Sequence, residues 1–305
     1  TMMRKRIGIL LGQPEEYTMN LFLKGFLDCA VKNDFDVCIF AMNKRYQPSY
    51  AKGVGDANIF SLVDYNSYDA IILVSHCIRM PGVTERIEEE LHKTYDKPVI
   101  CVDWESKYFP TFYSNNIAPT KKIISYLIEK CGYKDIAYLT GQEYHPHAIQ
   151  RLQAFEECMT EHDLRVRRDR IFYGDFWETS GQGTAAKILQ NREDLPEAIA
   201  CANDRMAIGI INELTKEGFV VPDDIAVVGF DASIEGRTNN ISITSVRMSH
   251  VEQGEYCFAC LQALMQGEGM PADKNEPVMY LGKSCGLPEV DDASRWQEDF
   301  IVEDD

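Results

Sequence analysis

The sequence predicts an α/β protein built from two doubly wound, parallel-sheet lobes joined by a three-stranded hinge. Three observations carry this. Short, nearly continuous apolar runs recur along the chain, as in strands buried on both faces of a parallel sheet. Longer segments with apolar residues at helical spacing separate them. The resulting strand–helix rhythm runs once from about residue 6 to 114 and again from about 119 to 229, so one core gives way to two.

The elements follow in order. Strands are expected at 6–11, 36–40, 70–74, 99–102, 136–139, 171–172, 198–201 and 225–229. Phe22, Phe26, Cys29 and Ala30 mark one helix face, Ile123, Ile124, Leu127 and Ile128 a second, and Ala207, Ile208, Ile211 and Leu214 a third. Gly132 and Gly218 stand just past helix ends, where a left-handed residue is needed. A strand at 243–246, a helix at 251–265 and a last strand at 278–281 are expected to cross back and complete both lobes. The expected division is residues 1–117 with 246–275, and 118–245 with 276–286, with hinges near Ile117, Ser245 and Asn275. Residues 287–305 carry Glu289, Asp291, Asp292, Glu298, Asp299, Glu303, Asp304 and Asp305 against Arg295 alone, and read as an acidic tail or linker.

Composition narrows the function. A formal charge of −17 opposes direct contact with nucleic acid, which needs Lys and Arg to displace counterions. No run approaches the roughly 20 apolar residues of a membrane span. The run from Ile7 to Leu11 is too short for a signal-peptide core. The ten cysteines have no scaffold spacing, and Cys38, Cys101 and Cys201 sit in apolar contexts, which favours a reducing cytoplasm.

Several ordered motifs carry a resemblance. Ala202-Asn203-Asp204-Arg205-Met206-Ala207 is followed by Val221-Pro222-Asp223-Asp224 and then by Val228-Gly229-Phe230-Asp231. With the passage 116–141, Arg151-Leu152-Gln153-Ala154-Phe155, Gly174-Asp175-Phe176 and the closing stretch 281–285, this resembles the effector-binding domain of the lac repressor (LacI/GalR) family. The resemblance implies a periplasmic-binding-protein-like fold of type I, a homodimer paired through first-lobe helices, and closure on a small effector, with no cofactor. Candidate pairing surfaces are the Phe22/Phe26 region and residues 65–68. The family's DNA-binding headpiece is absent from these residues, and Gln13 to Tyr17 departs from the family pattern. Headpiece-less modules of this kind also serve as sensors of signalling proteins such as diguanylate cyclases.

In open α/β sheets ligands bind beyond the carboxyl ends of strands. That rule selects Gln13, Tyr17, His76, Asp103 and Trp104 in the first lobe. In the second it selects Arg151, Phe176, Trp177, Asn203, Asp204 and Asp231. Arg151 stands where the resembled family has a sugar-contacting arginine. Its guanidinium offers five donors, Asp231 accepts from paired hydroxyls, and Asn203 offers both donor and acceptor. The alternative is that Arg151 and Asp231 pair with each other across a cleft. Asp204 fits ligand contact or a helix cap. Phe176 or Trp177 offers a face to a sugar ring or a base, or packs in the core.

Other patterns carry less. His145 and His147 lack a third ligand at metal spacing. Gly181-Gln182-Gly183-Thr184-Ala185-Ala186 matches a dinucleotide fingerprint, but a helix cap at Thr179 or Ser180 precedes it. Cys257 and Cys260 have CxxC spacing within an apolar helix. No pair of groups is poised for acid–base work. The reading is a ligand-sensing module for a sugar or nucleoside, not an enzyme. A transport-type binding protein is the alternative.

Overall fold

The computed structural model describes residues 4–42, 50–78, 80 and 82–285. The acidic segment 287–305 lies outside the described residues. The first elements are β1 (Lys5–Gly12), α1 (Tyr17–Lys32), β2 (Phe35–Met42), α2 (Tyr50–Ala57), β3 (Ala70–Leu73), α3 (Ser75–Ile78), α4 (Val83–Thr94), β4 (Val99–Val102) and β5 (Thr111–Phe112). Then come α5 (Ile117–Glu129), β6 (Ile136–Thr140), α6 (Pro146–Glu161), β7 (Ile171–Tyr173), α7 (Glu178–Ile188), β8 (Ala198–Cys201), α8 (Asp204–Lys216), β9 (Ala226–Val228) and α9 (Ile234–Thr238). Last are β10 (Ser245–Arg247), α10 (His250–Met265) and β11 (Val278–Tyr280). Two compact units result. Unit one comprises the described residues within Thr1–Ser114 and Ser249–Asn275, and unit two those within Asn115–Met248 and 276–285.

Unit one holds a parallel sheet in the order β2-β1-β3-β4-β5. Because strand side chains alternate between faces, β1 feeds two cores. Ile7, Ile9 and Leu11 pack with Phe26, Phe258 and Leu261. Leu10, with Ile71 and Leu73 of β3, packs with Phe60, Tyr68 and Leu91. Both faces are covered, so the strands read as unbroken apolar runs. The edge strand β5 had no such signature, since two residues beside a single neighbour make no apolar run.

Helices α1 and α10 cross backbone to backbone. A Cβ on Gly25 would stand 2.0 Å from the Val251 carbonyl oxygen, and one on Gly254 2.0 Å from that of Phe22. This contact buries Phe22 and Phe26, and Phe26 meets Phe258 edge-on at 5.5 Å. Tyr65 and Tyr68 are buried as well. These four aromatic side chains fill unit one's own core and are not themselves open to a partner, whereas Asn66 and Ser67 between the two tyrosines are exposed.

Unit two repeats the plan with the parallel order β7-β6-β8-β9. A parallel bridge between Val228 and Thr244 leads toward β10, which pairs antiparallel with β11. One core of aliphatic side chains from β6, β8 and β9 serves the whole unit. Here α7 and α8 make the close helix pair. A Cβ on Gly181 would stand 2.1 Å from the Met206 carbonyl oxygen. The dinucleotide-like glycine motif is therefore a helix-packing device. Its helix begins at Glu178 without a side-chain cap, so neither Thr179 nor Ser180 caps it. Cys257 and Cys260 are buried in unit one's core.

Candidate functional site

Seven described non-glycine residues have positive φ. Four of them are candidate site residues just past the carboxyl ends of strands: Gln13 (56°), Asp103 (52°), Phe176 (70°) and Asp231 (96°), and Ala232 (46°) follows the last. L-residues adopt this region at a cost that surrounding structure must meet, and such residues cluster at functional sites. Asp34 and Asp163 are the remaining two, and both lie just past helix ends.

In unit two, α6 projects Arg151 from its second turn. Pro146 opens that helix, a position where its missing N–H costs nothing. Arg151 is 7% exposed. Its Nε donates to Asn116 Oδ1 at 2.9 Å, Nη1 donates to the Ala202 carbonyl, and its guanidinium lies 3.6 Å from the centroid of the Phe230 ring. The remaining nitrogen stands 3.8 Å from Asp231 Oδ1. That separation exceeds hydrogen-bond length. Arg151 is thus held rigidly on three sides and faces Asp231 loosely on the fourth. Both residues belong to unit two, so the pair expected to span a cleft is a pair within one unit.

The Asp231 side chain is 46% exposed. Displacement of water by neighbouring protein raises its carboxyl above the ordinary value, while Arg151 and then His147 oppose the rise. With nearly half its surface open, the charged form keeps water contacts and is ready to accept hydrogen bonds.

Asn203 and Asp204 have exchanged the roles their positions suggested. Asn203 caps α8, accepting from Met206 N at 3.0 Å, and donates to the Phe176 carbonyl at 2.9 Å. Much of its amide is therefore committed to holding the Phe176 turn. Asp204 does not cap the helix. It is 1% exposed and accepts from Ser233 N and Ser245 Oγ, each at 2.6 Å. Ser245 Oγ in turn accepts from Ala232 N at 3.0 Å. Asp204 therefore anchors the strained Asp231–Ala232 turn from beneath. Burial, and then the charge of Asp231, push its carboxyl up to about 7, against the hydrogen bonds from Ser245 and Ser233.

The aromatic pair divides. Phe176 packs against unit two's core and meets His145 edge-on at 5.1 Å. Trp177 is 48% exposed, with Arg205 5.0 Å from its ring centroid.

At the corresponding edge of unit one, Gln13 is buried and its Nε2 reaches Glu16 Oε1 at 3.4 Å. Tyr17 opens α1 half-buried. Asp103 accepts from Ser114 N and Oγ, each at 2.6 Å, which ties the end of β4 to the end of the unit's first segment. Trp104 is exposed. His76, in α3, has Nδ1 3.3 Å from the Val102 carbonyl oxygen and Nε2 3.1 Å from Cys77 Sγ.

A groove of about 690 Å³ occurs elsewhere in unit two, lined by Lys134, Asp135 and residues 165–169. It sits at the amino ends of β6 and β7, opposite the candidate site. Arg167 pairs there with Asp169 (2.6 Å) and Asp194 (2.7 Å), and Arg168 with Glu156 (3.0 Å). Ion pairing thus accounts for Arg167 and Arg168. Among the described residues no three His, Cys, Asp or Glu side chains are grouped to hold a metal, and no helix is long and apolar enough to cross a membrane.

Asn116, Phe230, Ser233 and Ser245 belong to the site's framework; the sequence marked Ser245 as a hinge position and none of the four as a site residue. Phe230 stands immediately before Asp231, and an arginine expected nearby was the one available signal for it. The others hold the site through bonds to residues 29 to 41 positions away, which no local pattern reveals.

The model of the periplasmic binding protein-like domain matches residues 124–285, more than half of the 305-residue chain. The chain belongs to this family. The HTH-type transcriptional repressor PurR of Histophilus somni (strain 129Pt) is 33% identical to this periplasmic binding protein-like domain over 161 residues, 52% of the chain and 48% of the repressor. The probable HTH-type transcriptional repressor ExuR of Bacillus subtilis (strain 168) is 26% identical over 224 residues, 72% of the chain and 66% of the repressor. The chain spans about half the length of the PurR relatives it matches. A LacI-family regulatory protein from Chloroflexus aggregans superposes with a TM-score of 0.69 at 24% identity, covering 92% of this chain and 98% of that one. The lac repressor dimer bound to operator and the anti-inducer ONPF gives 0.68 at 18% identity, covering 93% and 94%. These likenesses show the fold, a periplasmic-binding-protein-like α/β architecture of type I.

Proposed function

We propose that this periplasmic binding protein-like domain is the effector-binding part of a LacI-type regulator of transcription. It takes a small sugar or nucleoside at the carboxyl edge of unit two. The observation that carries the reading is the Arg151–Asp231 pair. A buried guanidinium held by Asn116, Ala202 and Phe230 faces a half-open carboxylate at 3.8 Å. A closed ion pair would have spent both groups on each other, whereas this spacing suits a ligand that donates to one and accepts from the other. Trp177 adds an open aromatic face for a ring.

The relatives' names support the regulatory reading, since PurR and ExuR are transcriptional repressors. They lend no support to a signalling-enzyme output such as a diguanylate cyclase. A homodimer in the cytoplasm is part of the proposal, by likeness to the lac repressor dimer. The segment 287–305 is proposed as a linker.

Thermal denaturation with adenosine, guanosine, D-galactose or cellobiose tests the site. A ligand present at 100 times its Kd stabilises the native state by about 2.7 kcal/mol. At least one probe is expected to raise the Tm of the wild-type chain, with the rise lost in Arg151→Ala and in Asp231→Ala. An equal rise in all three proteins would place the ligand elsewhere.

A further inference from the structure

We propose that the acidic segment 287–305 docks on its own chain, in the basic groove at the amino ends of β6 and β7. That groove is at the opposite edge of the sheet from Arg151 and Asp231, so the inference is independent of the effector reading.

The groove carries two cations that ion pairing does not account for. Among its lining residues Lys134, Arg165, Arg167 and Arg168 are basic, and Asp135 and Asp169 are acidic. Arg167 is engaged by Asp169 and Asp194, and Arg168 by Glu156. The acids nearby all have partners. Arg170 holds Asp135 and Asp194, and Glu197 accepts from the backbone N–H groups of Lys134 and Asp135 at 2.6 and 3.0 Å. Lys134 and Arg165 are exposed, and among the described residues neither side chain has a hydrogen bond or an ion pair. Arg168 also keeps donors for a further acceptor, since it bonds Glu156 through Nη1 alone and its side chain is 85% exposed.

The chain supplies carboxylates and delivers them to this place. The last described residue is Cys285, whose carbonyl oxygen accepts from the Tyr133 hydroxyl at 3.4 Å. Tyr133 immediately precedes Lys134. Asp291 and Asp292 come six and seven residues after Cys285, a reach of at most about 20–25 Å. Segment 287–305 holds eight acidic residues against Arg295 alone.

Charge favours this groove over other surfaces. The segment accounts for seven of the chain's seventeen net negative charges, so the rest of the chain still repels it on balance. Two unpartnered cations in one groove are where that repulsion reverses. The tether makes docking intramolecular, with an effective concentration of order millimolar for a short connection. Pairs too weak to hold a separate peptide can therefore hold this one.

Carbodiimide coupling of the full 305-residue chain, read by peptide mass spectrometry, tests the docking, because it joins an amine only to a carboxylate in contact with it. Lys130 is the control, an exposed amine beside Cys131, whose thiol meets that of Cys285. At about 50 mM salt, cross-links from Lys134 to residues 289–305 are expected to exceed those from Lys130 at least about threefold, the order that two exposed ion pairs supply. Raising the salt to about 500 mM shortens the screening length to about 4 Å and is expected to erase the excess. In Arg165→Glu the Lys134 yield is expected to fall to the Lys130 level, whereas Arg165→Lys retains it, and an unchanged Lys130 yield reports an intact fold. Equal wild-type yields from Lys134 and Lys130 would overturn the proposal, with no variant needed. So would an excess that Arg165→Glu leaves unchanged. An equal mixture of unlabelled and nitrogen-15-labelled chains identifies the occupant. Cross-links confined to peptides of one isotope support docking within a chain, and mixed pairs would overturn it in favour of a second copy's segment.

Discussion

Asp204 and Asp231 are carboxylates with opposite duties. Asp231 stands at the surface of the site, loosely opposed to Arg151. Asp204 lies beneath it, with Ser233 and Ser245 as hydrogen-bond donors, and a Cβ on Gly229 would stand 2.0 Å from its Oδ1. That enclosure favours the protonated carboxyl, which is why its pKa rises from 3.8 to about 7. Between those two values the native state holds a proton that the unfolded chain has released. Stability therefore falls as pH rises through the window, by roughly 1.4 kcal/mol per pH unit for this one group, and levels off above about pH 7. Asp204→Asn removes the titration. Urea unfolding of both proteins from pH 4.5 to 7.5 is expected to show the wild type losing stability relative to the variant as pH increases. Parallel pH profiles would mean that Asp204 is ionised throughout.

At the scale of elements, the strands deliver the site and the helices hold the strands. The left-handed residues after β1, β4, β7 and β9 turn the chain sharply at the carboxyl edge, where side chains are needed, and fixed backbone bonds pay for it. Asp231 N, for example, donates to the Val246 carbonyl at 2.9 Å. The helix pairs depend on small residues in the same way. Gly181 and Gly183 share one motif and one helix yet differ in surroundings. A Cβ on Gly181 meets the backbone of α8, while one on Gly183 has nothing within 4 Å. Gly181→Ala should cost about 1–3 kcal/mol by overpacking. Gly183→Ala should stabilise by about 0.5–1 kcal/mol, because it removes backbone entropy from the unfolded chain at an exposed helical position. Chemical denaturation of the two variants checks the contrast, and equal effects would show that the α7–α8 contact is looser than described.

For the molecule as a whole, charge sets the limits on partners. With 48 acidic against 31 basic residues, not counting histidine, the chain lacks the surplus cations that release counterions from a duplex. It is expected to leave the mobility of duplex DNA unchanged in a gel shift at low salt, where electrostatic attraction would be strongest. Retardation at about 50 mM salt that vanishes near 200 mM would reveal a basic surface acting against the net charge. The prediction concerns these 305 residues, which span about half of the PurR relatives, and so leaves the regulatory reading intact.

The sequence by itself determined the α/β class, the two-fold strand–helix rhythm and the short list of positions at strand ends. Each is written locally. Burial on both faces makes a strand such as 99–102 uniformly apolar, helical period marks α1 and α8, and Gly132 and Gly218 punctuate where φ must be positive. The two-residue strand β5 escaped because an edge that short leaves no pattern. Only the tertiary structure decided which strand-end residue does what. Asn203 became the cap and Asp204 the buried anchor because Ser233 and Ser245, distant in sequence, arrive beneath one and not the other. Phe22, Phe26, Tyr65 and Tyr68 became core because unit one's own helices and sheet cover them. Arg151 and Asp231 were legible as chemical types. Their 3.8 Å separation within one unit was not, because distances between residues far apart in sequence are set by packing.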